Sequence, residues 1–445
     1  MGSRHRLGTT FSQRQVRPMF ALVDCNNFYV SCERLFDPRL EGCPVVVLSN
    51  NDGCIIARSN EAKALGIAMG TPLFKAMPEI RRHGIKVYSS NYSLYGDISA
   101  RVMRTLEAFS PDIEIYSIDE AFLNLGGLER HGIADHGREL HRTVKRWTGI
   151  PVSVGIAPTK TLAKIAAGIA KKNPDLGGAL LIDDEQARRQ ALAATDIGDV
   201  WGIGRRWAKM LGTNAISTAL DFHDMPAPWV RGRMGVVGAR THMELTGTPC
   251  IDLQTRPPDK QTLCVSRSFS QTVSERRVLR ESIAAFAARA AEKLRRGGLF
   301  TTAVNVFVRT NGYRTDQTQY RNAATRALAT PGSHTVDIVG AAMAAFDDIY
   351  RDGLQYKQAG VMLLDLNRPD AIQPDMFAPT HKRNDKLMTV LDDINARLGS
   401  DVLRLAASGT GAGTGNGGKR RTFTVQSHRS PRYTTNWREL PIARA

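Results

Sequence analysis

Short apolar runs alternate with helical patterns through the first 185 residues of the chain. The runs Phe20–Val23, Pro44–Leu48 and Ile150–Ala157 have the length and composition of buried strands. The stretches Ser99–Phe109 and Thr159–Lys172 place apolar residues at the spacing of amphipathic helices. This alternation predicts an α/β or α+β domain that ends near residue 185.

Beyond that domain the pattern changes twice. Residues 196–248 are predicted to be helical with glycine breaks, and residues 257–366 read as a separate α+β unit. Proline and glycine concentrate at 247–258, which indicates a linker, and the run SGTGAGTGNGG at 408–418 is a flexible linker by composition. A chain of 445 residues is long for one core, so two to four domains are expected.

Three carboxylates interrupt the apolar runs at the ends of predicted strands. Asp24 follows the first run, and Asp119 with Glu120 lies inside YSIDEAFLNL. A straight strand would send one of the two neighbouring acids into the core, so a bend between two short strands is predicted there. The three acids would then share one rim and attract hard cations such as Mg²⁺, and without metal at least one carboxyl pKa should rise. Taken alone, acids at strand ends are more often turn or cap residues.

Charge and cysteine content narrow the class of protein. The 60 lysine and arginine residues against 43 aspartate and glutamate leave a net charge of +17, which favours a polyanionic partner, most often nucleic acid. A generic basic protein is the alternative. Six cysteines without a CxxC pair indicate a reducing compartment. No apolar run reaches the ~18 residues of a membrane span, and residues 1–18 do not resemble a secretory signal.

Five segments in order along the chain resemble those of the Y-family translesion DNA polymerases. The resemblance is closest to the UmuC-type catalytic subunits of bacterial DNA polymerase V, and it covers nearly the whole chain from Met19. Any one segment would be weak evidence, but five in register are specific. They are ALVDCNNFYVSCE, SNNDGCIIARSNEAKALGI, SSNYSLYGDIS, IYSIDEAFLNL and VSVGIAPTKTLAKIAAGIAKK.

The resemblance implies a multidomain α+β fold shaped as a right-hand polymerase, with a helical thumb that carries a helix-hairpin-helix. The implied parts are a disordered leader at 1–18, a palm at 19–50 and 94–185, small fingers at 51–93, the thumb at 186–255, an α+β little finger at 256–370, and a clamp-binding peptide with a flexible basic tail at 371–445.

The resemblance also implies the catalytic and nucleotide-binding residues. Asp24, Asp119 and the carbonyl of Cys25 match ligands of two Mg²⁺ ions, and Glu120 matches the catalytic glutamate at those metals. The nucleotide-side positions are the sugar gate Tyr29 with its neighbour Phe28, and the triphosphate-contacting lysines Lys63 and Lys171. Without the family, the aromatics would be ordinary core residues and each lysine a solvated helix residue. Asn60 departs from the tyrosine of many Y-family members, which puts the triphosphate contact at this position in doubt.

Two further motifs are predicted to bind macromolecules. In DIGDVWGIGRRWAKMLG, a turn at Gly202 and Gly204 would expose backbone N–H groups to a DNA phosphate, and Arg205 and Arg206 would add charge. A plain helical turn is the alternative. In QPDMF, at 373–377, the anchors of a sliding-clamp peptide would be Gln373, Met376 and Phe377. The proline and methionine depart from the usual leucines, and a linker is the alternative.

These observations favour a template-directed DNA polymerase that performs error-prone translesion synthesis in the DNA-damage response. Its substrates would be primer-template DNA and a deoxynucleoside triphosphate, in the cytoplasm at the nucleoid. The resemblance implies a UmuD-type dimer, a RecA filament and the sliding clamp as partners, and no membrane. The alternatives are a catalytically silent DNA-binding subunit and a two-metal nuclease.

Overall fold

The computed structural model describes residues 18–128, 132–372, 385–399, 402–409 and 425–441. The predicted clamp peptide with Gln373, Met376 and Phe377 lies outside these residues, as do the predicted leader except for Pro18 and most of the glycine-rich linker. The chain forms two compact units. The first contains the described residues within Met1–Ser49, Gly53–Pro257 and His428–Ala445, and the second those within Asn50–Asp52 and Pro258–Ser427.

The first unit contains eight strands and ten α-helices among its described residues. The strands are β1 (Phe20–Cys25), β2 (Val45–Leu48), β3 (Ile55–Arg58), β4 (Lys86–Ser89), β5 (Ile113–Ile115), β6 (Glu120–Asn124), β7 (Val152–Ala157) and β8 (Ala179–Leu181). The helices are α1 (Phe28–Phe36), α2 (Asn60–Ala64), α3 (Leu73–His83), α4 (Tyr92–Leu106), α5 (Ile133–Thr148), α6 (Lys160–Lys172), α7 (Glu185–Ala193), α8 (Arg205–Gly212), α9 (Ala219–His223) and α10 (Ala227–Leu245).

A five-stranded sheet in the order β5-β6-β1-β7-β8 organises the first unit. The central strand β1 pairs antiparallel with both β6 and β7. Alternate residues of β1 face opposite sides, as strand geometry requires. Ala21 and Val23 join a core with residues of α1, α4 and α5, whereas Phe20 and Leu22 join a core with α6. A smaller sheet, β3-β2-β4, buries its own cluster against α2 and α3.

The second unit is built on a four-stranded antiparallel sheet in the order β11-β10-β12-β9. Residues of all four strands share one core with two helices of this unit. Its elements are β9 (Leu263–Val273), α11 (Arg276–Arg296), β10 (Thr301–Thr310), β11 (Arg321–Gly332), α12 (Thr335–Ile349), β12 (Tyr356–Leu364) and α13 (Asp385–Leu398). The mixed α+β class predicted from the sequence is therefore confirmed for the described chain.

Two local features differ from the sequence-based expectation. The helix predicted at Ser99–Phe109 begins earlier, at Tyr92, because the Asn91 side chain accepts a hydrogen bond from the Leu94 amide and caps its first turn. Strand β11 was not predicted, because its sequence RNAATRALATPG lacks the apolar content of a buried strand. Across the described ranges, no helix is long and apolar enough to cross a membrane.

The contact between β7 and α6 depends on Gly155. A Cβ atom on Gly155 would lie 2.1 Å from the carbonyl oxygen of Ala163 and 2.1 Å from the amide nitrogen of Ala167. Both are backbone atoms of α6, so no side-chain rotation relieves the clash. Gly168, on α6 itself, has nothing within 4 Å of the same added atom.

We expect Gly155→Ala to lower the free energy of unfolding by ~3 kcal/mol or more, because α6 must move off the sheet. The matched variant Gly168→Ala should be neutral or stabilising by up to about 1 kcal/mol, since alanine favours the helix. Urea denaturation followed by circular dichroism measures both. Equal midpoints for the two variants would contradict the close packing of α6 on β7.

Candidate active site

The acids Asp24 and Glu120 face each other across two paired strands. Strands β1 and β6 run antiparallel with Asp24 directly opposite Glu120. Residues opposite each other in such a pair project to the same face, with Cβ atoms about 5 Å apart. The expectation that these two acids share one side of the sheet is therefore confirmed.

The bend predicted inside YSIDEAFLNL is present between β5 and β6, which pair antiparallel. Ser117 stabilises it: its hydroxyl donates to Asp119 Oδ1 at 2.6 Å and accepts from the Glu120 amide at 3.0 Å. The Cys25 amide donates to the Asp119 carbonyl at 2.8 Å, which ties the bend to β1. The Asp119 side chain is therefore held by Ser117 within the bend.

Two lysines of α6 neutralise the opposed acids. Lys164 Nζ lies 2.8 Å from both carboxylate oxygens of Glu120. Lys171 Nζ lies 2.5 Å from Asp24 Oδ1. The two lysines are seven residues apart, which places them on the same face of the helix, two turns from each other. Each ion pair remains partly exposed to solvent.

The electrostatics of the site confirm the expected rise in a carboxyl pKa. Burial raises the pKa of Glu120 above its ordinary value, Lys164 opposes the rise, and the nearby charge of Asp24 adds to it. The pKa of the Cys25 thiol is raised by burial first and then by the charges of Asp24, Asp119 and Glu120. The charges of all three acids therefore reach the Cys25 side chain at the end of β1.

The donor chemistry of the site suits a hard divalent ion, although the three acids are not gathered around one point. Among the described residues, no group of three or more histidine, cysteine, aspartate or glutamate side chains is arranged to hold a metal. Asp24 and Glu120 nevertheless offer carboxylate oxygens on one face, and both already attract a cation, the ammonium group of a lysine. Oxygen ligands of this kind are those that Mg²⁺ prefers.

The two lysines predicted to contact the triphosphate lie near each other and near Asp24. Burial lowers the pKa of Lys63, and the positive charges of Lys171 and Arg58 lower it further, while Asp24 opposes them. Lys63 Nζ donates to the side-chain oxygen of Asn27 at 2.6 Å. It also donates to the side-chain oxygen of Asn60 at 3.3 Å, so the residue that departs from the family pattern orients this lysine.

The predicted gate Tyr29 is packed between two other tyrosines. Its ring stacks on Tyr95 with centroids 4.5 Å apart and meets the edge of Tyr92 at 6.0 Å. Burial, assisted by Tyr92 and the charge of Asp119, raises the pKa of Tyr29 to about 12, so the phenol stays neutral. Phe28 is only 3% exposed and belongs to the core, unlike the half-buried Tyr29.

The glycine turn of the predicted helix-hairpin-helix precedes α8 directly. Gly202 has φ 91°, a conformation that favours glycine, and Gly204 is the N-cap of α8 without a side chain to cap the first turn. Gly202, Gly204, Arg205 and Arg206 are all exposed. The two glycines and the two arginines therefore lie at the surface of the turn, whereas the Ile203 amide between the glycines already donates to the Val200 carbonyl at 3.0 Å.

Three polar residues at the site were missed by the motif-based reasoning: Lys164, Ser117 and Arg58. For Lys164 a signal was present, since its seven-residue separation from Lys171 within α6 predicts a common face. Ser117 precedes the acids in a turn-forming position, which is typical of a side chain that bonds local backbone amides. Arg58 ends β3, and nothing in its sequence context indicates that its charge acts on Lys63.

Comparisons with known proteins assign the chain to a family. Residues 23–168 match the impB/mucB/samB family and residues 260–376 match its C-terminal domain. Residues 385–443 match a domain of unknown function, DUF4113. Protein UmuC of Salmonella typhimurium is 44% identical over 95% of this chain and 99% of its own length.

Two other relatives extend the comparison. Protein ImpB of Salmonella typhimurium is 41% identical over 96% of this chain and all of its own length. DNA polymerase IV of Caulobacter vibrioides is 26% identical over 88% of this chain and 94% of its own length. With both family domains matched in order and full-length relatives above 40% identity, the chain belongs to the impB/mucB/samB family and is a UmuC-type Y-family polymerase.

Proposed function

We propose that this protein copies damaged DNA by template-directed nucleotidyl transfer, with the reaction centred on Asp24, Asp119 and Glu120. The observation that carries the proposal is the opposition of Asp24 and Glu120 across β1 and β6, next to a cluster of lysines. An acid pair alone serves many purposes. Here the acid pair is accompanied by lysines, which suit phosphate groups. The aromatic ring of Tyr29, in the first turn of α1, closely follows Asp24 in the chain. Acids, lysines and an aromatic ring together suit a nucleoside triphosphate.

The residues of the chain divide the work of holding the substrates. Asp24, Asp119, the Cys25 carbonyl and Glu120 would hold two Mg²⁺ ions. When bound, these ions lower the pKa of the primer 3′-hydroxyl and balance the charge of the leaving pyrophosphate. Lys63 and Lys171 would bind the triphosphate oxygens.

The ion pairs of the site explain how it accepts its charged substrates. Lys171 lies on Asp24 and Lys164 on Glu120, and both pairs are partly exposed. Partly exposed ion pairs contribute little stability and can be exchanged at low cost. Lys171 would leave Asp24 for a phosphate oxygen, and Lys164 would stay near Glu120 and limit repulsion between the acids.

The likeness to UmuC-type polymerases supports a proposal for the domain layout and the partners. Palm, fingers, thumb and little finger would occupy the ranges given by the sequence, with the thumb turn at Gly202 and Gly204 on the DNA backbone. The peptide with Gln373, Met376 and Phe377 would bind the sliding clamp. A UmuD-type dimer and a RecA filament would activate the polymerase during the response to DNA damage.

Replacing the acids should abolish synthesis without unfolding the chain. We expect Asp119→Ala and Glu120→Gln each to slow primer extension opposite an abasic site by about a hundredfold or more, because the charges that hold the cations are lost. The matched control Asp112→Asn changes an exposed carboxylate near the same bend and should extend like the parent. Chelation of divalent ions should stop extension by the parent.

Extension by Asp119→Ala at the parental rate would refute the assignment of the acids. Release of nucleoside monophosphates in place of pyrophosphate would indicate the two-metal nuclease. An absence of incorporation by the parent, with Mg²⁺, clamp, UmuD-type and RecA-type partners present, would favour the catalytically silent DNA-binding subunit.

The ring of Tyr29 should decide which sugar is accepted. Tyr29→Ala removes the surface against which a 2′-hydroxyl would clash, so we expect the preference for deoxyribonucleotides to fall by about tenfold or more. Tyr29→Phe keeps the ring and should keep the preference. Single-nucleotide insertion with matched ribo- and deoxyribonucleoside triphosphates measures the ratio. An unchanged ratio in Tyr29→Ala would show that another residue excludes the hydroxyl.

The turn before α8 should bind DNA through charge and not through sequence. Replacing Arg205 and Arg206 together by alanine should reduce the slope of log affinity against log salt by up to about two, since each phosphate contact contributes ~0.9. Replacing both by lysine keeps the charge and should keep the slope. Fluorescence anisotropy with primer-template DNA at several salt concentrations measures it. A parental slope in the alanine variant would place the phosphate contacts elsewhere.

A further inference from the structure

The C-terminal residues 428–441, called the C-terminal strap below, dock onto the first unit far from their place in the sequence. The Ser89 amide donates to the His428 carbonyl, and the His428 amide donates to the Ser89 hydroxyl, each at 3.0 Å. The Tyr433 ring stacks on Phe36 of α1, with centroids 4.5 Å apart. The strap lies within the segment that matches a domain of unknown function.

Asn91 joins the strap to the start of α4. Its side-chain amide donates to the carbonyl oxygens of Ser430 and Pro431, each at 3.1 Å, and to the Ser430 hydroxyl at 3.0 Å. The other end of the same side chain caps α4 through Leu94. The strap is therefore bonded to the residue that sets where α4 begins.

At the centre of this contact is a buried carboxylate, Glu33, which is 2% exposed. Its Oε1 atom accepts hydrogen bonds from Tyr95 at 2.6 Å and from the Ser430 hydroxyl at 3.1 Å. Burial raises the pKa of Glu33, and both hydrogen bonds oppose that rise. Since a buried acid needs partners, the strap supplies one of the two donors that stabilise it.

The same carboxylate is one turn away from the predicted sugar gate. Glu33 and Tyr29 are four residues apart on α1 and therefore lie on one face of that helix. Tyr95, which is fully buried, bonds Glu33 through its hydroxyl and stacks on Tyr29 with its ring, at an interplanar angle of 15°. A continuous chain of contacts runs from Ser430 through Glu33 and Tyr95 to Tyr29.

We propose that the C-terminal strap positions the sugar gate: Ser430 completes the hydrogen bonding of Glu33, which orients Tyr95, whose ring supports Tyr29. Ser430, Glu33 and Tyr95 are positioning residues, because none of them touches the substrate. The inference rests on the proposed function, in which Tyr29 excludes the 2′-hydroxyl. It assigns a role to a segment for which neither the motifs nor the family match provides one.

The test removes one hydroxyl at a time from the full-length chain. Ser430→Ala deletes the donor on the strap, and Tyr95→Phe deletes the donor on α4 but keeps the ring that supports Tyr29. Each should lower the ratio of deoxyribonucleotide to ribonucleotide insertion by about threefold to tenfold, the net effect of losing one typical intramolecular hydrogen bond. The change should appear mainly in ribonucleotide insertion.

The double variant and a matched control separate positioning from general destabilisation. Both hydroxyls bond the same Glu33 oxygen, so the combined effect of Ser430→Ala and Tyr95→Phe should differ from the sum of the single effects. Ser282→Ala also removes a buried serine hydroxyl, which donates to the Val278 carbonyl in the second unit. It should leave the insertion ratio at the parental value.

A second readout does not depend on activity. Hydrogen–deuterium exchange of the peptide Phe28–Phe36 should speed up in Ser430→Ala and not in Ser282→Ala, because only the former loosens the support of α1. If Tyr29→Ala relaxes sugar selection but Ser430→Ala and Tyr95→Phe do not, the positioning role of the strap is overturned, while the role of Tyr29 as sugar gate is supported. If Tyr29→Ala does not change sugar selection, the assignment of Tyr29 as sugar gate is refuted. Unchanged hydrogen–deuterium exchange of Phe28–Phe36 in Ser430→Ala would then also overturn the link between the strap and α1.

Discussion

The site depends on one register: the antiparallel pairing that sets Asp24 opposite Glu120. A shift of one residue would turn Glu120 toward the apolar core and bring Ala121 to its place, because side chains alternate along a strand. Two features fix this register. One is the set of apolar residues of β1 and β6 that are buried on the two faces of the sheet, and the other is the bend at Ser117. The acids therefore occupy the face of the sheet that α6 covers, and its lysines meet them there.

Three lysines of α6 form ion pairs with acids on this face of the sheet, and the three pairs differ in burial. The pair of Lys160 with Glu114 is 1% and 10% exposed and also bonds the backbone of Asp252 and Gln254, so breaking it would leave charges without water. The pairs of Lys164 with Glu120 and of Lys171 with Asp24 are 15–32% exposed, so breaking them costs less free energy. The ion pairs of α6 thus become more exposed from Lys160 through Lys164 to Lys171.

A second set of polar contacts surrounds Glu33, next to the stacked rings of Tyr29 and Tyr95. Glu33 is buried among apolar residues of α1 and α4, and it is stable there because Tyr95 and Ser430 both donate to it. The first unit is therefore complete only when a segment from the far end of the chain has docked. The acids of the first unit thus differ in their surroundings: Asp24 and Glu120 form partly exposed ion pairs, whereas Glu33 is buried and hydrogen-bonded.

The sequence alone determined the α+β class and the bend at Asp119 and Glu120, since the alternation of apolar residues and the position of acids at strand ends are local properties. It did not indicate the docking of residues 428–441, because Glu33 and Ser430 are 397 residues apart and neither lies in a distinctive pattern. Only the tertiary structure decided which lysine meets which acid and what supports Tyr29. Such pairings depend on how α6, α4 and the C-terminal segment pack, and packing joins residues that the sequence keeps far apart.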